Sequence, residues 1–356
     1  MVATIFGTRP EITKLAPLIP LIDAAFDHHV LFTSQHYSPN MAQLFFDELQ
    51  VREPDTFLDL RTSAVDKLTA AVAEELKRLR PRAVVVYGDT NSTLAAGRAA
   101  REAGLPLAHI EAGLRCFDLS LPEERTRIEV DGISDLLLCP TELQVTYLRR
   151  EGVPGRAEVV GNLIVDAVQR YLPSEKRRAA TLRRLGVSPG KFAVATIHRQ
   201  ANVDTAPALK RSLECLRHDI PVVFPVHPRT RARMDEFGLK LPENVVGTEP
   251  LGYLEFLSLL AEAAVVLTDS GGLQEEAIVL GVPCLTLRTS TERWETVCAG
   301  GNFLVGTEPA LVQSYVAMIL DEALGLGERM RRAPNPYGEN VAQKCLAALR
   351  DWLARL

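Results

Sequence analysis

Twelve short apolar runs rich in β-branched residues recur along the 356-residue chain, and amphipathic stretches separate them. A continuously apolar strand must be covered on both faces, which happens when helices pack on both sides of a parallel sheet. The pattern therefore predicts an α/β protein with two parallel sheets. The predicted strands are 2–6, 29–33, 83–87, 106–110, 135–139 and 158–160, followed by 191–197, 221–226, 244–247, 264–268, 283–287 and 302–305.

The stretches between the strands have helical periodicity. Residues 64–80 carry an apolar residue at every third or fourth position, which predicts a helix with one buried face. The two sets of strands are separated by a polar, helical region, so we place a domain boundary near 163–172. Residues 338–356 are predicted to form a closing helix. Ligands of such doubly wound domains bind at the carboxyl ends of the strands.

The composition argues against several classes of function. A formal net charge of −5 makes a nucleic-acid partner unfavourable. The six cysteines are scattered without a C-x-x-C pair, which indicates neither a zinc site nor a disulfide framework and fits a reducing cytoplasm. The apolar stretch at the N-terminus is too short for a signal peptide, and no stretch is long and apolar enough to span a membrane. We therefore expect a cytoplasmic protein without a metal.

A glycine-rich turn follows the tenth predicted strand. The free backbone N–H groups of Ser270, Gly271 and Gly272 are expected to point at a phosphate, which the dipole of the following helix also favours. An acid in the next turn, Glu275 or Glu276, is well placed to bind a ribose diol. The segment thus predicts half of a site for a nucleoside diphosphate, although an ordinary strand-to-helix turn has the same pattern.

Polar residues follow three strands of the first half. Arg9 and Lys14 come after the first strand, Asp89 after the third, and Glu111 after the fourth, with Glu123 a short distance beyond. Because the carboxyl ends of parallel strands meet at one edge, we expect the three acids to share a cavity. Clustered carboxylates cannot all ionise cheaply, so one pKa should rise and provide both an acid and a base. Alternatively, each acid caps a helix or pairs with an arginine.

The second half offers further polar side chains at strand ends. His198 and Arg199 follow one strand and His227 the next, while Arg293 adds a cation beyond the strand at 283–287. A lone histidine is more often structural than catalytic. His198 beside a cation at a strand end is nevertheless a catalytic candidate.

These motifs occur in the order found in a known family. They are Gly7-Thr8-Arg9-Pro10-Glu11 with Lys14, Gln35-His36, Gly88-Asp89-Thr90, His109 to Arg115, Pro122-Glu123-Glu124 with Arg127, His198-Arg199, Pro225 to Pro228, Asp269 to Glu276, Thr291-Glu292-Arg293 and Asn335 to Gly338. The chain resembles the non-hydrolysing UDP-N-acetylglucosamine 2-epimerases from residue 3 to about residue 340.

The resemblance implies a fold and a setting. The expected fold is the glycosyltransferase B-type fold, with two Rossmann-like doubly wound domains facing across a cleft. Residues 1–165 are expected to form the first domain, with the helix 340–356 packing back on it, and residues 166–339 the UDP-binding second domain. The resemblance also implies a cytoplasmic homodimer that binds a UDP-sugar and feeds cell-surface polysaccharide synthesis. It implies no nicotinamide or other cofactor, and no G-x-G-x-x-G fingerprint is present.

The resemblance also implies a reaction and the residues that perform it. UDP leaves C1 as the C2 proton is removed, giving a 2-acetamidoglucal, and then adds back after protonation on the other face. The implied catalytic residues are Asp89, Glu111, Glu123 and His198. The implied substrate-binding residues are Arg9, Lys14, Arg127, His227, Ser270, Gly271, Gly272, Glu276 and Arg293.

Some features leave alternatives open. Gln35, His36 and Arg199 correspond to an allosteric site of bacterial members, but residues 58–66 lack the Gly- and Gln-rich stretch that accompanies it. Activation by substrate is therefore doubtful. The alternative functions are a hydrolysing epimerase, an epimerase of a UDP-2,3-diacetamido sugar, a glycosyltransferase of the same fold, and a non-enzymatic UDP-sugar sensor. The sequence does not show which carboxylate serves which face of C2. Glu124 lies on another face of its helix than Glu123 and is expected to matter less for turnover.

Overall fold

The computed structural model describes residues 1–34 and 46–356. These residues form two compact units, one of Met1–Arg170 with Tyr337–Leu356 and the other of Tyr171–Pro336. Each unit contains one parallel β-sheet. The two parallel α/β domains predicted from the sequence are thus confirmed.

The sheet of the first unit has seven strands in the order β3-β2-β1-β4-β5-β6-β7. Chain order reverses between the central strands β1 and β4, and the carboxyl edge of a doubly wound sheet at such a point is where ligands usually bind. The strands are β1 Val2–Phe6, β2 His28–Phe32, β3 Thr56–Phe57, β4 Ala83–Tyr87, β5 Leu107–Ile110, β6 Leu136–Cys139 and β7 Arg156–Val159.

The sheet of the second unit has six strands in the order β10-β9-β8-β11-β12-β13. Its point of reversal lies between β8 and β11, where Thr196 is in register with Thr268. The strands are β8 Ala193–Thr196, β9 Val222–Pro225, β10 Val245–Thr248, β11 Val265–Thr268, β12 Cys284–Thr286 and β13 Asn302–Leu304.

All twelve predicted strands are present, each with bounds within two residues of the prediction. The expectation of six strands in each sheet is wrong for the first unit, which has a seventh strand, β3. This edge strand consists only of Thr56 and Phe57, both half-buried. Two residues cannot produce a recognisable apolar run, so the pattern of hydrophobicity could not reveal it.

Helices connect the strands and cover the sheets. In the first part of the chain they are α1 Arg9–Leu15, α2 Ile19–Ala25, α3 Val65–Leu79, α4 Asn91–Glu102, α5 Pro122–Ile133, α6 Glu142–Glu151 and α7 Ile164–Tyr171. They continue as α8 Glu175–Leu185, α9 Gln200–Val203, α10 Ala206–Glu214, α11 Pro228–Phe237, α12 Tyr253–Leu260, α13 Gly271–Leu280, α14 Trp294–Cys298, α15 Pro309–Leu320, α16 Leu326–Arg331 and α17 Val341–Ala354. Among the described residues, none of these helices combines the length and the hydropathy needed to cross a membrane.

The apolar faces of the helices bury against the sheets as their periodicity predicts. Helix α3 buries Leu68, Val72 and Leu76, which pack in the core of the first unit. The last helix, α17, also belongs to that unit, and the backbone N–H of Ala342 donates to Asp166 at 2.6 Å. Burying both faces of each sheet leaves the strand ends as the places where polar groups can gather.

Candidate active site

The carboxylate of Glu111 lies at the carboxyl end of β5 with a cation beside it. Lys14 Nζ is 2.6 Å from Glu111 Oε2, and the Tyr87 hydroxyl at the end of β4 donates to the same oxygen. All three residues are buried. The Lys14 ammonium thus offsets the charge of an acid that would otherwise be costly to bury.

A second carboxylate, Asp89, follows β4 and forms an ion pair with Arg127 of α5. The Arg127 guanidinium, whose side chain is 3% exposed, also contacts Glu124 Oε2 at 2.6 Å. Asp89 and Glu111 therefore come from neighbouring strands, as the sequence predicts, and each has its own cation. The two predicted substrate-binding cations, Lys14 and Arg127, are both engaged with acids of the protein.

The acids of α5 differ from expectation. Glu124, expected to be the less important of the pair, is buried and accepts the backbone N–H groups of Cys116 and Phe117 in addition to its bond with Arg127. Burial raises the pKa of Glu124, but these donors outweigh that effect and lower it below its usual value. Glu123 is exposed on the first turn of α5. The structure therefore does not bring Glu123 into the network around Arg127, and its catalytic role stays a prediction.

A further buried acid, Glu11, ties two loops of this edge together. Its Oε2 accepts the backbone N–H groups of Gly7 and Thr8 at 3.0 and 2.7 Å, and its Oε1 accepts the hydroxyls of Thr90 and Thr93 at 3.1 and 3.2 Å. Burial outweighs these hydrogen bonds and raises the pKa of Glu11 from 4.5 to about 7. The sequence predicts a raised carboxyl pKa at this edge on Asp89, Glu111 or Glu123, whereas the structure has one on Glu11.

In the second unit, His198 follows β8 and is held by Asp269, which follows β11. His198 Nδ1 is 3.0 Å from Asp269 Oδ1, and the backbone N–H groups of His198 and Arg199 also donate to Asp269. Burial raises the pKa of Asp269, but His198 and these N–H groups lower it below its ordinary value. An ionised Asp269 accepts a hydrogen bond from the Nδ1–H of His198, which fixes the ring orientation and leaves Nε2 as the nitrogen that faces away from the pair. The His198 side chain is 36% exposed, so a ligand can reach it.

The glycine-rich turn forms the predicted helix start, with one difference. Ser270 is the N-cap of α13, and Gly271 and Gly272 are its first two residues, whose N–H groups have no acceptor within the helix. The N–H of Ser270, expected to be free, donates to the Thr268 hydroxyl at 2.9 Å. The reason is local, because the Thr268 side chain at the end of β11 reaches into the turn. The donors of this turn that remain for the predicted phosphate are thus the N–H groups of Gly271 and Gly272 and the Ser270 hydroxyl.

Paired charges surround the start of α13. Arg293, predicted as a diphosphate ligand, forms an ion pair with the buried Glu275. Glu292 Oε2 accepts from Arg288 at 2.9 Å, and its Oε1 lies 3.5 Å from Arg199. A ligand phosphate would thus meet arginines that are already oriented by acids of the protein.

The remaining predicted residues occupy various positions. His227 is the N-cap of α11, and its ring lies 5.3 Å from that of His198. Burial and the neighbouring His198 lower the pKa of His227. Arg9 begins α1 and Glu276 lies half-buried on α13. Gln35 and His36 lie outside the described residues, while Arg199 contacts Asp269.

Several residues of these networks were not selected from the sequence. They are Glu11, Tyr87, Glu124, Asp269 and Glu292. Asp269 had a usable signal, since it stands directly between an apolar strand and the glycine turn. Glu11, Tyr87 and Glu292 could not be recognised because each has a partner far away in the chain. Glu124 could not be recognised because its burial depends on how the loop before α5 folds. Within residues 1–34 and 46–356, no three His, Cys, Asp or Glu side chains group in a way that could hold a metal ion.

Comparison with known proteins identifies relatives along almost the whole chain. The family model described as UDP-N-acetylglucosamine 2-epimerase matches residues 22–350. A UDP-N-acetylglucosamine 2-epimerase of Methanocaldococcus jannaschii is 40% identical over 94% of both chains. A UDP-2,3-diacetamido-2,3-dideoxy-D-glucuronate 2-epimerase of Pseudomonas aeruginosa is 37% identical over 100% of this chain and 99% of its own. The solved M. jannaschii UDP-GlcNAc 2-epimerase, in complex with UDP-GlcNAc and UDP, matches with a TM-score of 0.88 and 38% identity over 99% of both chains.

The raised pKa of Glu11 predicts how the stability of the first unit depends on pH. Between about pH 4.5 and 7, folded Glu11 keeps a proton that the unfolded chain has released. The free energy of unfolding should therefore fall as the pH rises through this window, by up to about 3 kcal/mol from this group. The variant Glu11→Gln has no proton to lose and should lack this component.

Urea unfolding at pH 5 and pH 7.5 tests this expectation. The chain has two tryptophans, so a Trp294→Phe background leaves Trp352, buried in α17, to report on the first unit. If the Glu11→Gln substitution left the pH dependence unchanged in this background, Glu11 would have no raised pKa.

Proposed function

The chain belongs to the UDP-N-acetylglucosamine 2-epimerase family of isomerases, and on this basis we propose that it interconverts UDP-N-acetylglucosamine and UDP-N-acetylmannosamine without hydrolysing them. The observation that supports this most is the placement of Asp89 and Glu111. Two carboxylates at neighbouring strand ends, each oriented by a cation, suit a reaction that removes a proton and later returns one.

The proposed reaction begins with loss of UDP, because the C2 proton of the sugar is not acidified by a carbonyl group. The C1–O bond breaks, UDP takes the electron pair, and positive charge develops at C1. The C2–H electrons then form the C1–C2 double bond of a 2-acetamidoglucal as a carboxylate accepts the proton. Protonation of C2 on the opposite face and addition of the UDP oxygen to C1 complete the epimerisation.

We assign the sugar chemistry to acids of the first unit, Asp89, Glu111 and Glu123. Carboxylates stabilise a developing sugar cation and can transfer the C2 proton. Arg127 fixes the orientation of Asp89, and Lys14 fixes that of Glu111. A fixed orientation limits the direction in space from which each carboxylate can exchange a proton with the sugar.

We assign UDP binding to the second unit, apart from one proposed ligand, Arg9, which belongs to the first. Ser270, Gly271 and Gly272 provide a helix start for the diphosphate, and Glu276 is proposed to hold the ribose. Arg9, His198, His227 and Arg293 are further proposed ligands. The contact of His198 with Asp269 supports a role for the imidazole at the leaving group. Asp269 holds the ring by Nδ1, so Nε2 remains available to interact with the departing UDP.

A UDP-2,3-diacetamido sugar is the second candidate substrate. The observation that favours it is the P. aeruginosa relative, which is 37% identical over the full chain and acts at the same carbon of such a sugar. Hydrolytic release of UDP and free N-acetylmannosamine is the alternative outcome for the first substrate.

We further propose that the enzyme works as a homodimer in the cytoplasm and supplies activated sugar for cell-surface polysaccharide. The six free cysteines, five of them buried, fit a reducing compartment. The dimer follows from the family resemblance alone. Light scattering of the purified protein tests it, and a monomeric mass at working concentration would refute it.

Proton NMR in deuterated water tests the reaction. Incubation with UDP-N-acetylglucosamine should give the manno epimer with deuterium at C2, because a proton held by a carboxylate exchanges with solvent before it returns. UDP should remain attached in both sugars at equilibrium. Stoichiometric free UDP with a free amino sugar would indicate hydrolysis instead. Absence of C2 exchange with this sugar, and exchange with a UDP-2,3-diacetamido uronate, would favour the second substrate.

Ser270→Asp tests the diphosphate site. The added carboxylate lies at the start of α13 and repels the phosphates, so UDP should bind at least about 1–3 kcal/mol more weakly. Calorimetric titration with UDP measures this loss. Ser314→Asp adds the same charge to an exposed position of α15 in the same unit and should leave the affinity unchanged. Equal affinities of the two variants would place the diphosphate elsewhere.

Amide variants of the three acids test their roles. Asp89→Asn, Glu111→Gln and Glu123→Gln should each lower kcat by about 10²–10⁴, with little change in KM, if the carboxylates act mainly in the transition state. Glu129→Gln is the matched control, because Glu129 lies on α5 and pairs with Arg98 at the surface. A variant of Glu111 with wild-type kcat would remove this residue from the mechanism.

A further inference from the structure

One buried histidine has hydrogen-bond acceptors at both ring nitrogens. His109 of β5 is completely buried, with Nδ1 2.8 Å from Asp131 Oδ1 and Nε2 2.8 Å from the carbonyl oxygen of Gly88. A carbonyl oxygen can only accept a hydrogen bond, so Nε2 must carry a proton. The charge of the ring then depends on whether Asp131 is ionised.

The surroundings of Asp131 favour its ionised form. Its Oδ2 accepts from Arg115 Nη1 at 2.7 Å and from the backbone N–H of Gly113 at 3.1 Å. An ionised carboxylate only accepts, so Nδ1 of His109 must also carry a proton.

The charges of this cluster balance. Arg115 also contacts Glu151 Oε2 at 2.6 Å, so the cations His109 and Arg115 face the anions Asp131 and Glu151. Each of these four charged groups comes from a different element: His109 from β5, Asp131 from α5, Glu151 from α6 and Arg115 from the loop after β5. Their contacts join the four elements. A buried cation is tolerated when it is paired and hydrogen-bonded in this way.

The cluster holds the two turns that carry the proposed catalytic acids. The Gly88 carbonyl that His109 binds belongs to the residue directly before Asp89. Glu111 lies between His109 and Gly113, and Asp131 binds the Gly113 N–H. Glu111 has a φ of 68°, which costs about 1–2 kcal/mol for a residue with a side chain and needs support from its surroundings.

We propose that His109 is a positioning residue, an imidazolium with a proton on each ring nitrogen that together with Asp131 fixes the backbone on which Asp89 and Glu111 stand. The part of this inference that concerns turnover rests on the proposed function. His109 itself, being buried, does not touch the substrate. It acts through the Gly88 carbonyl and, by way of Asp131, through the Gly113 N–H.

A second histidine–aspartate pair of the first unit provides a matched control. His28 Nδ1 lies 2.6 Å from Asp23 Oδ1, but its Nε2 faces the Thr4 hydroxyl at 2.8 Å. A hydroxyl can donate as well as accept, so this ring does not need two protons. Burial also lowers the pKa of His28. The pair lies at the start of β2, on the opposite edge of the sheet from the acids.

Nitrogen-15 NMR of the wild-type protein tests the protonation state without any assay of activity. The ring signals are assigned through bonds from the β-carbon of each histidine, so no variant has to fold. At pH 7.5, His109 should show two protonated ring nitrogens and His28 one. A single protonated nitrogen on His109 would overturn the proposal, whatever reaction the protein catalyses.

Variants test the positioning role. Asp131→Asn should shift the backbone amide signals of Asp89 and Gly113 and lower kcat by about ten- to a hundredfold, since small displacements of reacting groups are costly. UDP affinity should not change, because the proposed UDP ligands Ser270, Gly271 and Glu276 belong to the second unit. Asp23→Asn should leave those amide signals and kcat as in the wild type. Unshifted signals in Asp131→Asn would refute the positioning role.

Two substitutions of His109 separate its two hydrogen bonds. His109→Gln carries an N–H donor at about the reach of Nε2 and can retain the bond to Gly88, whereas His109→Asn reaches only toward Asp131. If the Gly88 bond positions Asp89, kcat should be higher in the Gln variant than in the Asn variant, at similar KM. The opposite order would contradict the inference. If the wild type shows no epimerisation at all, the proposed function fails, while the ring protons and amide shifts still decide the role of His109.

Discussion

A carboxylate buried at the carboxyl end of a parallel sheet is stable only when N–H donors and cations surround it, and both units are organised around such an acid. Asp131 in the first unit accepts one backbone N–H from the loop after a strand and Asp269 in the second accepts two, and each contacts Nδ1 of a histidine. Removing either acid would leave a histidine and several donors without an acceptor. The loops that carry the proposed site residues depend on these two aspartates.

The same histidine–aspartate contact has different consequences in the two units because the exposure of the ring differs. His109 is completely buried and its second nitrogen binds the Gly88 carbonyl, so it can only support the backbone. The His198 side chain is 36% exposed, so its second nitrogen is accessible to a ligand. Exposure rather than residue type thus separates a positioning histidine from a catalytic candidate.

Much of the fold could be predicted because the apolar runs of parallel sheets are continuous and recur regularly along the chain. The pattern located twelve strands and the amphipathic face of α3, and failed only for the two-residue strand β3, which has no apolar run. The pairing of charges was harder to predict. Helical geometry separates Glu123 from Glu124, but only the packing of α5 against the loop after β5 determines that Glu124 becomes buried beside Arg127.

The sequence by itself determined the alternation of strands and helices, the family, and the positions of Asp89, Glu111, His198 and the glycine turn at strand ends. These properties follow from local periodicity and from short motifs, which neighbouring residues specify. The tertiary structure alone decided which charges meet, since Lys14 and Glu111 are 97 positions apart in the chain and lie 2.6 Å apart in the fold. It also decided which acids are shielded from water, because burial arises from packing between distant elements. Burial and ion pairing have opposite effects on the pKa of an acid, and their balance determines whether the acid is ionised.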